Sequence, residues 1–191
     1  PKVEAALYGG AGNDLAKGNK VSLTDVNINQ DTDLTIAGGY IHDEGSADKN
    51  EVSLTNLNLD PDSTYISEVA GGNAYNGTAN ENTLSLTNTT LNNNVYGGLV
   101  GITLSGLSYD TDFQPGELFQ ADGIAANKNQ VFLTNASSTG SVYGGYVVPT
   151  EYTGIAEAQA NENTVQLVQT LDQGTSYGDC LLYTSPSPRD A

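Results

Sequence analysis

The chain has no Met and no Trp, one Cys, one Arg and one His. The one Cys, Cys180, lies in a closing segment unlike the rest of the chain, so it supports neither a disulfide nor a thiol nucleophile. Lys and Arg together number 6 against 23 Asp and Glu, leaving a net charge of −17. A field of that sign repels phosphate backbones and anionic lipid, so nucleic acid and membrane surfaces are disfavoured as partners. No run of apolar residues is long enough to span a bilayer as a helix. Aromatics make up only 7% of the chain, too few for one large globular core. Regular placement of the apolar residues argues equally against disorder.

What is present is a repeat. The copies are Asn19-Lys-Val-Ser-Leu-Thr-Asp25, Asn50-Glu-Val-Ser-Leu-Thr-Asn56, Asn82-Thr-Leu-Ser-Leu-Thr-Asn88, Asn129-Gln-Val-Phe-Leu-Thr-Asn135 and the weaker Asn163-Thr-Val-Gln-Leu-Val-Gln169. Their leading Asn residues stand at 19, 50, 82, 129 and 163, steps of 31, 32, 47 and 34. A Gly pair precedes each copy: Gly9-Gly10, Gly38-Gly39, Gly71-Gly72, Gly97-Gly98 and Gly144-Gly145. A period of this size marks a stacked-repeat architecture.

Within each copy the apolar residues alternate, as Val21 with Leu23 and Val52 with Leu54. Period-two alternation reads as a half-buried strand. Further short strands follow the motif and precede the Gly pairs, which are expected to form sharp corners through positive φ. No unit has a long amphipathic helix pattern. One unit cannot bury its own apolar face, but stacked units share a continuous inner column. The expected fold is all-β: a parallel β-helix, or β-solenoid, of about five repeats of roughly 30 residues, right-handed. Three copies read Ala-Asn-x-Asn before the strand, ending at Asn82, Asn129 and Asn163. Equivalent side chains in a stack lie about 4.8 Å apart. Asn19, Asn50, Asn82, Asn129 and Asn163 are therefore expected to form an amide ladder.

Residues 1–179 are read as the solenoid fragment, with an insert around 99–120 in the unit whose step is 47. Solenoid insertions map to loops on one face, often the binding face. Tyr109, Phe113 and Phe119 in that insert are the ligand-contact candidates. The alternative for these aromatics is to fold back over the solenoid. Residues 180–191 resemble a translated sequencing adapter and are read as an artefactual tail. Both ends look cut, as in an internal fragment of a longer protein.

The motif with its spacer and the elements Asn94-Val-Tyr-Gly-Gly98 and Ser141-Val-Tyr-Gly-Gly-Tyr146 resembles repeats in the passenger regions of bacterial autotransporters. The resemblance covers essentially residues 8–178. It implies a parallel β-helix carried to the cell surface by a C-terminal outer-membrane β-barrel, expected in the missing part of the chain. It also implies an adhesive or stalk role, with a host-surface protein or glycan as partner.

No catalytic constellation emerges, and neither a metal nor a cofactor is expected. Gly9-Gly-Ala-Gly-Asn-Asp14 matches one calcium half-site of a β-roll, but no other Gly pair repeats it. Asp31 with Asp33, Asp60 with Asp62, and Asp110 with Asp112 could each hold a hard cation, yet their phases within the repeat differ, which favours solvated turns. His42 reads as a solvated loop residue. The alternative function is a carbohydrate-active β-helix enzyme, a polysaccharide lyase or glycoside hydrolase. The latter needs two carboxylates at controlled separation.

Overall fold

The computed structural model describes residues 3–28, 32–59, 64–101, 124–147 and 158–169. Among these the chain is all-β, without helix, and its sheets are parallel. The strands come in successive groups. The first holds β1 (Val3–Gly12), β2 (Lys20–Thr24) and β3 (Asn27–Ile28). The second holds β4 (Thr32–Ser46), β5 (Glu51–Thr55) and β6 (Asn58–Leu59). Next come β7 (Thr64–Thr78), β8 (Thr83–Thr87) and β9 (Thr90–Leu91). They are followed by β10 (Val95–Val100), β11 (Ile124–Ala125), β12 (Gln130–Thr134) and β13 (Ser137–Ser138). The last described are β14 (Val142–Val147), β15 (Ala158–Gln159) and β16 (Thr164–Val168).

Each strand pairs with its counterpart in the neighbouring group. One sheet runs β1-β4-β7-β10-β14, with β11 and β15 attached beside β7. A second, built from the motif strands, runs β16-β12-β8-β5-β2. Two short sheets pair β3 with β6 and β9 with β13. Parallel strands usually need a helical crossover. Here the chain returns to its parallel partner by passing through the other sheets.

The register explains the repeat. Val21, Val52, Leu84, Val131 and Val165 align across the motif sheet, as do Leu23, Leu54, Leu86, Leu133 and Leu167. Facing them, Leu7, Ile36, Val69, Val95 and Val142 align across the first sheet. Most of these side chains form one hydrophobic cluster between the sheets. Val52, Leu54, Leu84, Leu86 and Val131 are fully buried. Burial of each such side chain contributes about 1.5–3 kcal/mol, and a single group alone would leave its apolar residues open above and below, where the neighbouring groups now cover them. A separate, smaller cluster contains Ala16, Ile41, Ala47 and Ala74.

The corners are not where the Gly pairs suggested. Gly9, Gly10, Gly38, Gly39, Gly71, Gly72, Gly97, Gly98, Gly144 and Gly145 all lie inside β1, β4, β7, β10 and β14. None of them has positive φ. The left-handed residues instead bracket the motif strand. Gly18, Lys49, Glu81, Lys128 and Glu162 stand just before the leading Asn, and Asp25, Asn56, Asn88 and Asn135 just after the Thr. The Gly pairs are required for close approach. A Cβ on Gly38 would lie 2.4 Å from the Gly71 carbonyl oxygen, and one on Gly72 would lie 2.2 Å from that of Ala47.

Leu99, where the insert was expected to open, belongs to β10 and is fully buried, as is Val100. Residues 102–123, with Tyr109, Phe113 and Phe119, lie outside the described residues.

Candidate functional site: polar columns and a tyrosine face

The Gly pairs clear space for the leading asparagines. Asn19 donates from its backbone N–H and its Nδ2 to Asn50 Oδ1, both at 3.0 Å. Asn50 does the same to Asn82 Oδ1 at 2.8 and 3.1 Å. Asn82 bonds Asn129 Oδ1 at 2.9 and 3.1 Å, and Asn129 bonds Asn163 Oδ1 at 2.9 and 3.1 Å. Asn50 Nδ2 also reaches the Ala16 carbonyl at 2.8 Å. Asn50, Asn82 and Asn129 are buried, so each amide satisfies polar groups that water cannot reach.

A second polar column lies two residues earlier and runs in the opposite sense. Asn80 N–H donates to Asp48 Oδ1 at 2.7 Å, Asn127 N–H to Asn80 Oδ1 at 2.7 Å, and Asn161 N–H to Asn127 Oδ1 at 2.6 Å. Exposed corner residues form a third, with Asn56 Nδ2 on Asp25 Oδ1 at 2.7 Å and Asn88 Nδ2 on Asn56 Oδ1 at 3.0 Å. Three of the scarce lysines bridge neighbouring groups: Lys20 to Glu51 at 2.7 Å, Lys49 to Glu81 at 3.4 Å and Lys128 to Glu162 at 4.0 Å. All are largely exposed, so each stabilises little.

Beside the Gly pairs, the first sheet carries a cluster of tyrosines. Tyr8 and Tyr40 stack with centroids 4.5 Å apart and planes 5° apart. Tyr96 and Tyr143 stack at 5.3 Å and 7°, and Tyr146 tilts against Tyr143 at 4.7 Å. Ala37, Ala70 and Leu99 complete this cluster. Near the rings is a buried carboxylate, Glu68, which accepts a hydrogen bond from Asn73 Nδ2. Burial pushes the Tyr8 phenol up, and the Glu68 charge adds to the effect. Burial also holds Tyr40 up at about 12, helped by Tyr8, Glu68 and Tyr75. Tyr96 is likewise raised to about 12 by burial, against an opposing hydrogen bond from Asn94, with Glu68, Tyr143 and Tyr146 contributing.

The other sequence candidates are scattered. His42 is exposed, with Nδ1 3.3 Å from Asp43 Oδ1. The stretch from Gly9 to Asp14 runs along β1 and its exit, where the exposed Asp14 accepts the Ser46 N–H through its carbonyl. Asp31, Asp60, Asp62, Asp110 and Asp112 lie outside the described residues. Among the described residues, no three His, Cys, Asp or Glu side chains gather where they could hold a metal ion.

Sequence reasoning missed Glu68 and Asn73. The available signal was a Tyr flanking most of the Gly pairs: Tyr8, Tyr40, Tyr96, Tyr143 and Tyr146. Glu68 gave no signal, because a register shift between Leu34 and Thr35 sets its place opposite Thr35.

No protein-family model matches this chain, and neither a curated protein nor a solved structure matches it.

Proposed function

We infer that the chain is a non-catalytic structural and adhesive passenger segment of a secreted or cell-surface bacterial β-helix protein. The groups of strands are coils of a right-handed parallel β-helix of about five turns. One observation carries this: every motif strand pairs in register with the motif strand of the next group, and an asparagine column, buried at Asn50, Asn82 and Asn129, runs alongside all of them.

Such a stack makes a rigid spacer. Each coil hydrogen-bonds to its neighbours, so length is added at about 4.8 Å per coil without a new core design. The polar face repeats with the coils, and repetition lets weak contacts add by multivalency. The partner is a host-surface protein or glycan. The place of action is the bacterial surface, reached through an outer-membrane β-barrel encoded further along the reading frame.

The reading frame of the source DNA tests this. More repeats followed by an outer-membrane barrel would support the passenger role. A frame that continues into a catalytic module, or closes directly after the segment Cys180–Ala191, would overturn it and favour the carbohydrate-active alternative.

A further inference from the structure

Among the described residues, tyrosine is the side chain most open to oxidation. Cys and Met are the usual sinks for oxidants, but Cys180 lies beyond Gln169 and the chain has no Met and no Trp. The tyrosines are also paired across strands. Tyr96 and Tyr143 are register partners on β10 and β14. Tyr8 reaches Tyr40 diagonally, because their own register partners are Ala37 and Ala11, whose methyl groups leave room for the rings. Both pairs stack nearly parallel. The two phenol rings of each pair therefore lie face to face as neighbours.

We propose that Tyr8 with Tyr40, and Tyr96 with Tyr143, are sites of oxidative dityrosine cross-linking, covalently joining β1 to β4 and β10 to β14. The oxidant is a peroxide acting through a haem peroxidase, which removes one electron at a time. Tyr8 and Tyr143 are half-buried and are oxidised first, whereas Tyr40 and Tyr96 are buried. A ring losing one electron also loses its phenolic proton and becomes a tyrosyl radical. Exchange through the stack passes this radical to the buried ring, and the outer ring is then oxidised in turn. The two unpaired electrons form one C–C bond between ortho carbons. The two ortho hydrogens leave as protons, and two protons return to the phenol oxygens, restoring both rings. Each link therefore removes two electrons and two protons from the protein and reduces one hydrogen peroxide to two waters.

The test treats the full chain, at low concentration, with hydrogen peroxide and a haem peroxidase. The expected product is a monomer lighter by two hydrogen atoms per link. Proteolysis at acidic residues should then release a Tyr8–Tyr40 peptide pair and a Tyr96–Tyr143 pair. Tyr40→Phe should abolish the first link and keep the second, and Tyr143→Phe the reverse. The link that survives in each variant reports that the chain is still folded. Exclusively intermolecular links, or links spread evenly over the 11 tyrosines, would overturn the proposal.

Discussion

Asn82 Oδ1 accepts two hydrogen bonds from Asn50, one from the backbone N–H at 2.8 Å and one from Nδ2 at 3.1 Å. One side-chain oxygen thus satisfies a buried main-chain group and a buried amide of the preceding group. The same residue donates upward to Asn129 in the same manner.

Replacing Asn82 by Ala should leave the buried Asn50 backbone N–H unpaired and Asn50 Nδ2 with the Ala16 carbonyl as its remaining acceptor. Each unsatisfied buried group costs about 1–3 kcal/mol. Asn88 makes a comparable side-chain bond to Asn56, but in solvent. Asn88→Gly, which leaves the left-handed φ of 48° unstrained, should therefore cost no more than about 0.5 kcal/mol from the lost surface contact. Urea unfolding midpoints distinguish the two, and equal shifts would sink the idea that the buried column holds the stack.

Gly72→Ala and Gly18→Ala separate two meanings of glycine. A Cβ at Gly72 meets the Ala47 carbonyl oxygen at 2.2 Å and Asn82 Nδ2 at 2.6 Å. The paired strands must then move apart, and we expect a loss of about 3 kcal/mol or more, as for severe overpacking. At Gly18, φ is +71° and nothing lies within 4 Å of the added atom. Only the left-handed backbone opposes Ala there, at about 1–2 kcal/mol. Thermal unfolding should rank Gly72→Ala well below Gly18→Ala.

Lys49 occupies the corner where the first group has Gly18, with φ +59°. Its ion pair with Glu81 is exposed at both ends. Lys49→Ala and Lys49→Gly lose the same pair, but only Gly is free of the left-handed penalty. Lys49→Gly should exceed Lys49→Ala in stability by about 1 kcal/mol. Identical midpoints for the two variants would contradict this account of the corner.

Alkali should weaken the tyrosine face. Burial raises Tyr40 and Tyr96 to about 12 in the folded chain, above their ordinary 10.0. Below pH 10 both states hold the proton, so the contribution is fully present. Between pH 10 and about 12 the unfolded chain binds fewer protons than the folded one. Stability therefore falls as pH rises through this window. Tyr40→Phe and Tyr96→Phe should each flatten the dependence of the denaturation midpoint on pH. An unchanged slope in both variants would remove these phenols as its source.

Much of the architecture was legible in the sequence. The alternation in Val52-Ser-Leu54 and its return in Leu84-Ser-Leu86 locate the motif strands. The recurring Asn before each strand marks a column whose bonds are now specified. The Gly pairs were legible as special positions but not for the right reason. Glycine serves turns and close approaches alike, and only the neighbouring strand tells them apart.

Other features had no local sign. Lys49, Glu81, Lys128 and Glu162 are left-handed, although Lys and Glu carry no preference for that region. The 47-residue step hides two changes. β10 begins opposite Val69 rather than opposite the start of β7, and it ends at Val100 while the next described strand, β11, begins only at Ile124. A spacing between motifs records only their net effect.

The sequence by itself determined the strands, their repetition and the columns that repetition builds, because these depend on residue type at fixed intervals. The tertiary structure alone decided which residues meet across different phases of the repeat. Tyr8 stacks on Tyr40 although their register partners are alanines. Glu68 is buried beside Asn73 through a register shift. Such contacts are set by the path of the backbone between strands, and no periodic pattern encodes that path.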